Sequence, residues 1–168
     1  MGLFTSEEFN SLEELFLHQL KDLYDAEHRL IDALPKMKEK ASCTALKEAF
    51  DSHLQETERQ IERLEMIFEN LGEEAERVKC KAMAGLIAEG DEVLDATGDA
   101  DVLDAALIAA AQRVEHYEIA GYGTARAFAQ RLGNTYAAEL LQQSLAEEGA
   151  ADHKLTSIAE KGVNAAAL

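Results

Sequence analysis

Four long stretches of this chain each carry a seam that steps alternately by four and three residues, and every seam is apolar at its ends and polar in its middle. The first gives Leu12, Phe16, Gln19, Leu23, Glu27, Leu30, Leu34 and Met37, and the second Leu46, Phe50, His53, Thr57, Gln60, Leu64, Ile67 and Leu71. The third gives Leu107, Ala111, Val114, Glu118, Gly121, Ala125, Phe128 and Leu132, and the fourth Ala137, Leu141, Ser144, Glu148, Ala151, Leu155, Ile158 and Gly162. A stripe of this period is satisfied only by long helices that bury it against one another, so the fold class is all-α.

Local punctuation predicts where those helices lie. Thr5 with Glu8 forms a capping box, Leu71-Gly72 and Leu132-Gly133 are stops, Asn134 is an N-cap and Lys161-Gly162 closes the last helix. The predicted spans are 6–40, 44–71, 101–132 and 134–161, with Pro35 kinking the first or marking its last turns. The connections 41–43 and 133 are short, which makes two antiparallel hairpins. Residues 72–100 are a different kind of connection, with a periodic stretch (Met83, Leu86, Ile87, Val93, Leu94) that predicts a short helix. A helix of about 28 residues spans about 42 Å. The segment can cross that length, leaving the second and third long helices parallel. This is a ferritin-like four-helix bundle with a long crossover, expected as one domain over 1–168.

Charge narrows the function. Sixteen Lys and Arg stand against 33 Asp and Glu, a net charge of −17, so no basic patch exists for nucleic acid or anionic membrane. No apolar run is long enough to span a bilayer. Cys43 and Cys80 are too few for a disulfide framework, and no secretory leader is recognisable, so the expected compartment is cytoplasmic. Residues 1–6 fit the myristoylation pattern, but no polybasic stretch follows, and the match is read as chance. The base-free acidic run Glu89, Asp91, Glu92, Asp95, Asp99, Asp101, Asp104 lacks calcium-loop spacing and is expected to be a solvated edge that caps the third long helix.

The polar residues in mid-seam agree in height as well as in phase. Glu27 lies 15 residues before position 42 and Glu56 lies 14 after it, while Glu118 and Glu148 each lie 15 from Gly133. His53 and Glu56 share a face, as do Glu115 and Glu118. Several carboxylates and one imidazole therefore meet in mid-bundle, with no Lys or Arg on any seam. Burying such charges unpaired costs several kcal/mol per ion, so either protons or cations neutralise them. A carboxylate-rich set with histidine suits iron or manganese better than structural zinc, and four or more carboxylates can bridge a pair of ions. Gly121, Ala125, Ser144 and Ala151 leave room for them. The opposing reading rotates one or more helices by about 100° and puts these glutamates on the surface.

Several segments resemble the YciF-like family of bacterial ferritin-like stress proteins: Asp22-Leu23-Tyr24-Asp25-Ala26-Glu27, His53-Leu54-Gln55-Glu56-Thr57, Cys80-Lys81-Ala82-Met83, Val114 to Ala120 with Tyr122, and Leu145-Ala146-Glu147-Glu148 with Asp152. The resemblance implies a ferritin-like bundle, a homodimer, a di-iron or di-manganese centre and a role in stress. The broader ferritin-like pattern is a Glu on two helices and Glu-x-x-His on the other two. Here His53-x-x-Glu56 reverses that order, and Ala151 stands where the second histidine belongs, with Asp152 as the substitute. Which of Glu147 and Glu148 faces the core is left open. The candidate ligands are Glu27, His53, Glu56, Glu115, Glu118, Glu148 and Asp152. The expected chemistry is oxidative, with peroxide, dioxygen or ferrous iron. The alternative is a structural or partner-binding stress protein with an empty site.

Among the remaining residues, His28 and His116 stand behind candidate ligands or on the surface, and His18 is expected to be exposed. Tyr24, Tyr117 and Tyr122 near the site level either hydrogen-bond ligand carboxylates, act as redox phenols or pack, with packing favoured. Cys80 is expected to be buried and structural. Phe9, Leu17 and Leu20 are expected to be exposed and available to a dimer face.

Overall fold

The computed structural model of the protein describes residues 8–168. Its helices are α1 (Leu12–Lys40), α2 (Thr44–Leu71), α3 (Lys81–Asp95), α4 (Ala100–Arg131) and α5 (Thr135–Ile158), followed by a π-helical turn (Ala159–Val163) and a short α6 (Asn164–Ala166). No strand occurs among the described residues.

Cross-helix hydrogen bonds fix the directions. Within the first hairpin Lys38 pairs with Asp51 and Tyr24 with Glu65, and within the second Gln112 reaches Thr156 and Arg126 reaches Gln142. The hairpins then join antiparallel. Tyr122 meets Glu27 across α4 and α1 while Asp104 meets Ser42, and Gln60 meets Glu148 across α2 and α5 while Asn70 meets Asn134. It follows that α2 and α4 run parallel. The crossover containing α3 joins them and packs on α1 and α4. This is the all-α, ferritin-like arrangement predicted from the long connection.

Helix ends follow local chemistry. α1 starts at Leu12, where Ser11 Oγ accepts from the Glu14 amide at 3.1 Å. The expected box at Thr5 lies outside the described residues, as do the first six positions. α1 continues through Pro35, which lies on its exposed side. Gly72 and Gly133 both adopt the left-handed conformation, with φ of 72° and 76°, and end α2 and α4 as predicted. Gly162 does not end α5. Its φ is not positive, and the backbone widens into the π-helical turn, which keeps Leu155, Ala159 and Val163 buried in one apolar cluster. Asp99 Oδ1 caps α4 by accepting from the Asp101 and Val102 amides.

Two expectations about exposure are corrected. Asp104 belongs to the acidic run but is fully buried, because its two oxygens accept the Ser42 and Cys43 amides at 2.8 and 2.7 Å. It supplies the charge at the start of α2 that Cys43, with no side-chain cap of its own, cannot. Leu20 is fully buried in the core, Leu17 is half-buried, and only Phe9 of that trio is exposed. His18 is half-buried too, with its ring edge-to-face on Phe9.

The interior divides into two apolar clusters. One contains Phe16, Leu20, Leu64, Ile67, Ala129 and Leu141 at the α2–α3 crossover end of α2, and the other contains Leu34, Leu46, Phe50, Leu107, Ile108 and Leu155 towards the α1–α2 turn. The polar mid-seam residues lie between them.

Candidate metal centre

Three of the long helices bring mid-seam residues to one point, and the fourth places Glu27 beside them. Glu27 from α1, Glu118 from α4 and Glu148 from α5 are fully buried, Glu115 is 2% exposed and His53 from α2 is 5% exposed. One ligand atom each from His53, Glu115, Glu118 and Glu148 lie within 4.8 Å of one another. His53 Nε2 is 3.3 Å from Glu115 Oε2 and 3.7 Å from Glu148 Oε2. The charge of Glu27 acts on Glu118, and that of Glu148 on Glu115 and Glu27.

Few donors serve this set. Tyr122 Oη donates to Glu27, and Gln60 Nε2 donates to Glu148. Beyond these, Glu27 Oε2, Glu115 Oε2, Glu148 Oε2, His53 Nε2 and both Glu118 oxygens are buried with no hydrogen-bond partner. Buried polar atoms are almost always satisfied, so this group of orphans is of the kind that could hold a metal ion. Burial raises the Glu27, Glu115 and Glu118 carboxyls well above the usual carboxylate range, and their neighbouring carboxylates add to it, although Tyr122 pulls Glu27 the other way. Burial alone would lower the His53 imidazole, but its hydrogen bond to Glu56 and the charge of Glu148 raise it. Protons thus take the place of cations when none are bound.

Residues 11–168 match the profile of a family described as a domain of unknown function, DUF892. The chain belongs to this family. This DUF892 chain is 48% identical over 155 residues to Protein YciF of Escherichia coli K12, covering 92% of itself and 93% of that protein. The crystal structure of the E. coli stress protein YciF superimposes with a TM-score of 0.89 at 48% identity, covering 93% of this chain and 99% of that one. YcfI of Rhodopseudomonas palustris, for which a structural role has been suggested, gives 0.88 at 47% identity, with coverages of 92% and 98%. A Xanthomonas campestris protein at 20% identity and a TM-score of 0.71, with coverages of 92% and 94%, shares the fold alone.

Within this DUF892 bundle two candidate ligands stand apart from the cluster. Glu56 Oε2 lies 3.3 Å from His53 Nδ1, on the outer side of the ring, with a side chain 25% exposed. Asp152 is turned to the α4–α5 surface, where it accepts from Gln112 at 2.9 Å and faces the exposed His116 at 3.4 Å. Its charge still acts on Glu115 of the cluster. Glu148 faces the core, while Glu147 forms a two-pronged ion pair with Arg63 at 2.6 and 2.7 Å. His28 stacks edge-on with Tyr24, away from the cluster.

The structure separates the three tyrosines, for which the sequence leaves packing, redox chemistry and hydrogen bonds to ligand carboxylates open. Tyr122 bonds Glu27, Tyr24 bonds Glu65, and Tyr117 bonds Asp22 and lies 3.0 Å from the buried Cys80 sulfur. Gln60 lies on the second seam, but its bond to Glu148 is not readable from the sequence. Its amide directly below two carboxylate levels was the available signal.

Proposed function

We propose that this protein is a stress-associated ferritin-like bundle whose core holds a pair of iron or manganese ions on Glu27, His53, Glu115, Glu118 and Glu148, and that its chemistry is oxidative. The observation that carries the reading is the convergence of buried, donorless carboxylate oxygens from α4 and α5 on an imidazole from α2, with buried Glu27 of α1 adjoining them. Such a set fits hard or borderline divalent cations able to bridge carboxylates. When bound in their reduced state the metals would supply the electrons that reduce peroxide or dioxygen, and ferrous iron as substrate would be the reductant that replaces them.

The chain's own residues prepare the site. Tyr122 fixes Glu27 and Gln60 fixes Glu148, so two of the four carboxylates are oriented before any ion arrives. Glu56 accepts from Nδ1 of His53 and leaves Nε2 aimed at Glu115 and Glu148. The apolar clusters on both sides exclude water along the bundle axis. The stress role follows the likeness to YciF, and homodimeric assembly in the cytoplasm completes the reading.

Purified protein loaded anaerobically with ferrous or manganous ion should retain about two equivalents per chain by plasma mass spectrometry. The Glu27→Ala/Glu148→Ala double variant should retain none. A wild-type protein that stays metal-free after loading would overturn this reading. It would favour the second one, a structural bundle with a vestigial site, to which Ala151 in place of a histidine and the role suggested for YcfI already point.

A further inference from the structure

We propose that a slot between α2 and α5 is the port through which divalent cations reach the buried cluster, with Glu56 receiving them at the mouth and His53 taking them inward. The inference rests on the metal-centre reading above. A cavity of about 70 Å³ has Ser52 and Glu56 of α2 on one wall and Ala150, Ala151 and Lys154 of α5 on the other, and His53 and Glu115 at its inner end. One opening therefore touches both solvent and cluster. His53 is nineteen-twentieths buried, and its unpartnered Nε2 is shared between Glu115 and Glu148. Its other nitrogen meets Glu56, whose carboxylate still reaches solvent.

Packing closes the ends of the bundle and its α1–α4 side. Apolar clusters fill the bundle above and below the cluster, and on the α1–α4 side the crossover lays fully buried Cys80 and Met83 over the core. Phe50 and Leu155 also line the slot, but the small Ala49, Ala150 and Ala151 leave it open between the two helices. Glu56 and His53 then form a relay: a carboxylate at the surface, an imidazole behind it, and carboxylates behind that. The Glu56 carboxyl is held below its ordinary value first by its hydrogen bond to His53 and then by the charges of His53, Arg59 and exposed Lys154, the last of which lines the slot. In a chain of net charge −17 this lysine is a local brake on cation entry.

Stopped-flow mixing of the full-length metal-free protein with cobalt(II), followed by d–d absorption, reads the rate, and plasma mass spectrometry after long incubation reads the final content. Ala151→Leu fills the slot and should slow uptake about tenfold at unchanged final content, Glu56→Gln should also slow it, and Lys154→Glu should accelerate it several-fold. Far-UV circular dichroism checks that Ala151→Leu is folded. If it is not, the exposed Lys154→Glu decides the matter. Wild-type loading with unchanged rates in the variants overturns the port and leaves the centre standing. A wild-type protein that takes up no cobalt overturns the centre, and the port with it.

Discussion

At the scale of single residues, the cluster asks Glu118 to give up hydration without a donor in return, since both its oxygens are buried and unpartnered and its neighbours are carboxylates. In the metal-free protein Glu118→Gln should therefore raise stability at neutral pH by about 1–3 kcal/mol in urea titrations, while abolishing the increase in thermal midpoint that manganese produces in the wild type. Asp25 is the opposite case. Burial would raise its carboxyl, but Arg29 at 2.6 Å, the Cys80 amide at 2.9 Å and Arg77 at 2.9 Å hold it below the usual value. A group depressed in the folded state contributes stability above its unfolded value near 3.8 and loses it as pH falls through the folded value. Asp25→Asn should cost about 2–3 kcal/mol at pH 7, and the gap to wild type should shrink below about pH 4 in pH-resolved denaturant melts. Glu27, His53, Glu118 and Glu148 were legible because each interrupts an apolar seam, and a seam position is core whatever occupies it. Asp25 and Asp104 were not, because what buries them is a set of amides and guanidiniums from elsewhere in the chain, which no periodicity reveals.

At the scale of elements, α2 was readable to its ends, since a short loop precedes Thr44 and Gly72 supplies a left-handed stop. α5 was not. A Lys-Gly pair reads as a terminus, but Val163 gains more from burial beside Ala159 and Leu155 than the chain gains from stopping. A close approach of α4 to α1 at Gly121 is equally invisible in sequence, where the glycine reads as room for ions. A Cβ added at Gly121 of α4 would sit 2.8 Å from Leu23 Cδ2 of α1, a fully buried side chain with nowhere to retreat, whereas one added at Gly123 would meet nothing within 4 Å. Alanine gains about 1 kcal/mol over glycine within a helix, and overpacking a core costs about 1–3 kcal/mol. Gly123→Ala should thus raise the thermal midpoint and Gly121→Ala should lower it, measured side by side by calorimetry. A rise in both would mean that α1 and α4 are less tightly apposed than the structure has them.

At the scale of the whole molecule, the bundle carries two kinds of negative charge that respond to ions differently. The net charge of −17 is spread mostly over solvated faces, where repulsion is screened by any salt over a Debye length of about 10 Å at 0.1 M. The four central carboxylates lie between apolar clusters, where a hydrated monovalent ion does not follow and screening is weak. Potassium chloride should consequently raise the melting temperature gradually and saturate once the surface is screened. Manganese at micromolar concentration should add a separate increment that persists in high salt and grows with the logarithm of free metal, because it binds the folded state alone. In the Glu118→Gln/Glu148→Gln variant the salt response should remain and the manganese increment should vanish. If manganese in the wild type did no more than potassium chloride at matched ionic strength, the central charges would be neutralised by their own protons, and the bundle would be a scaffold with no resident metal.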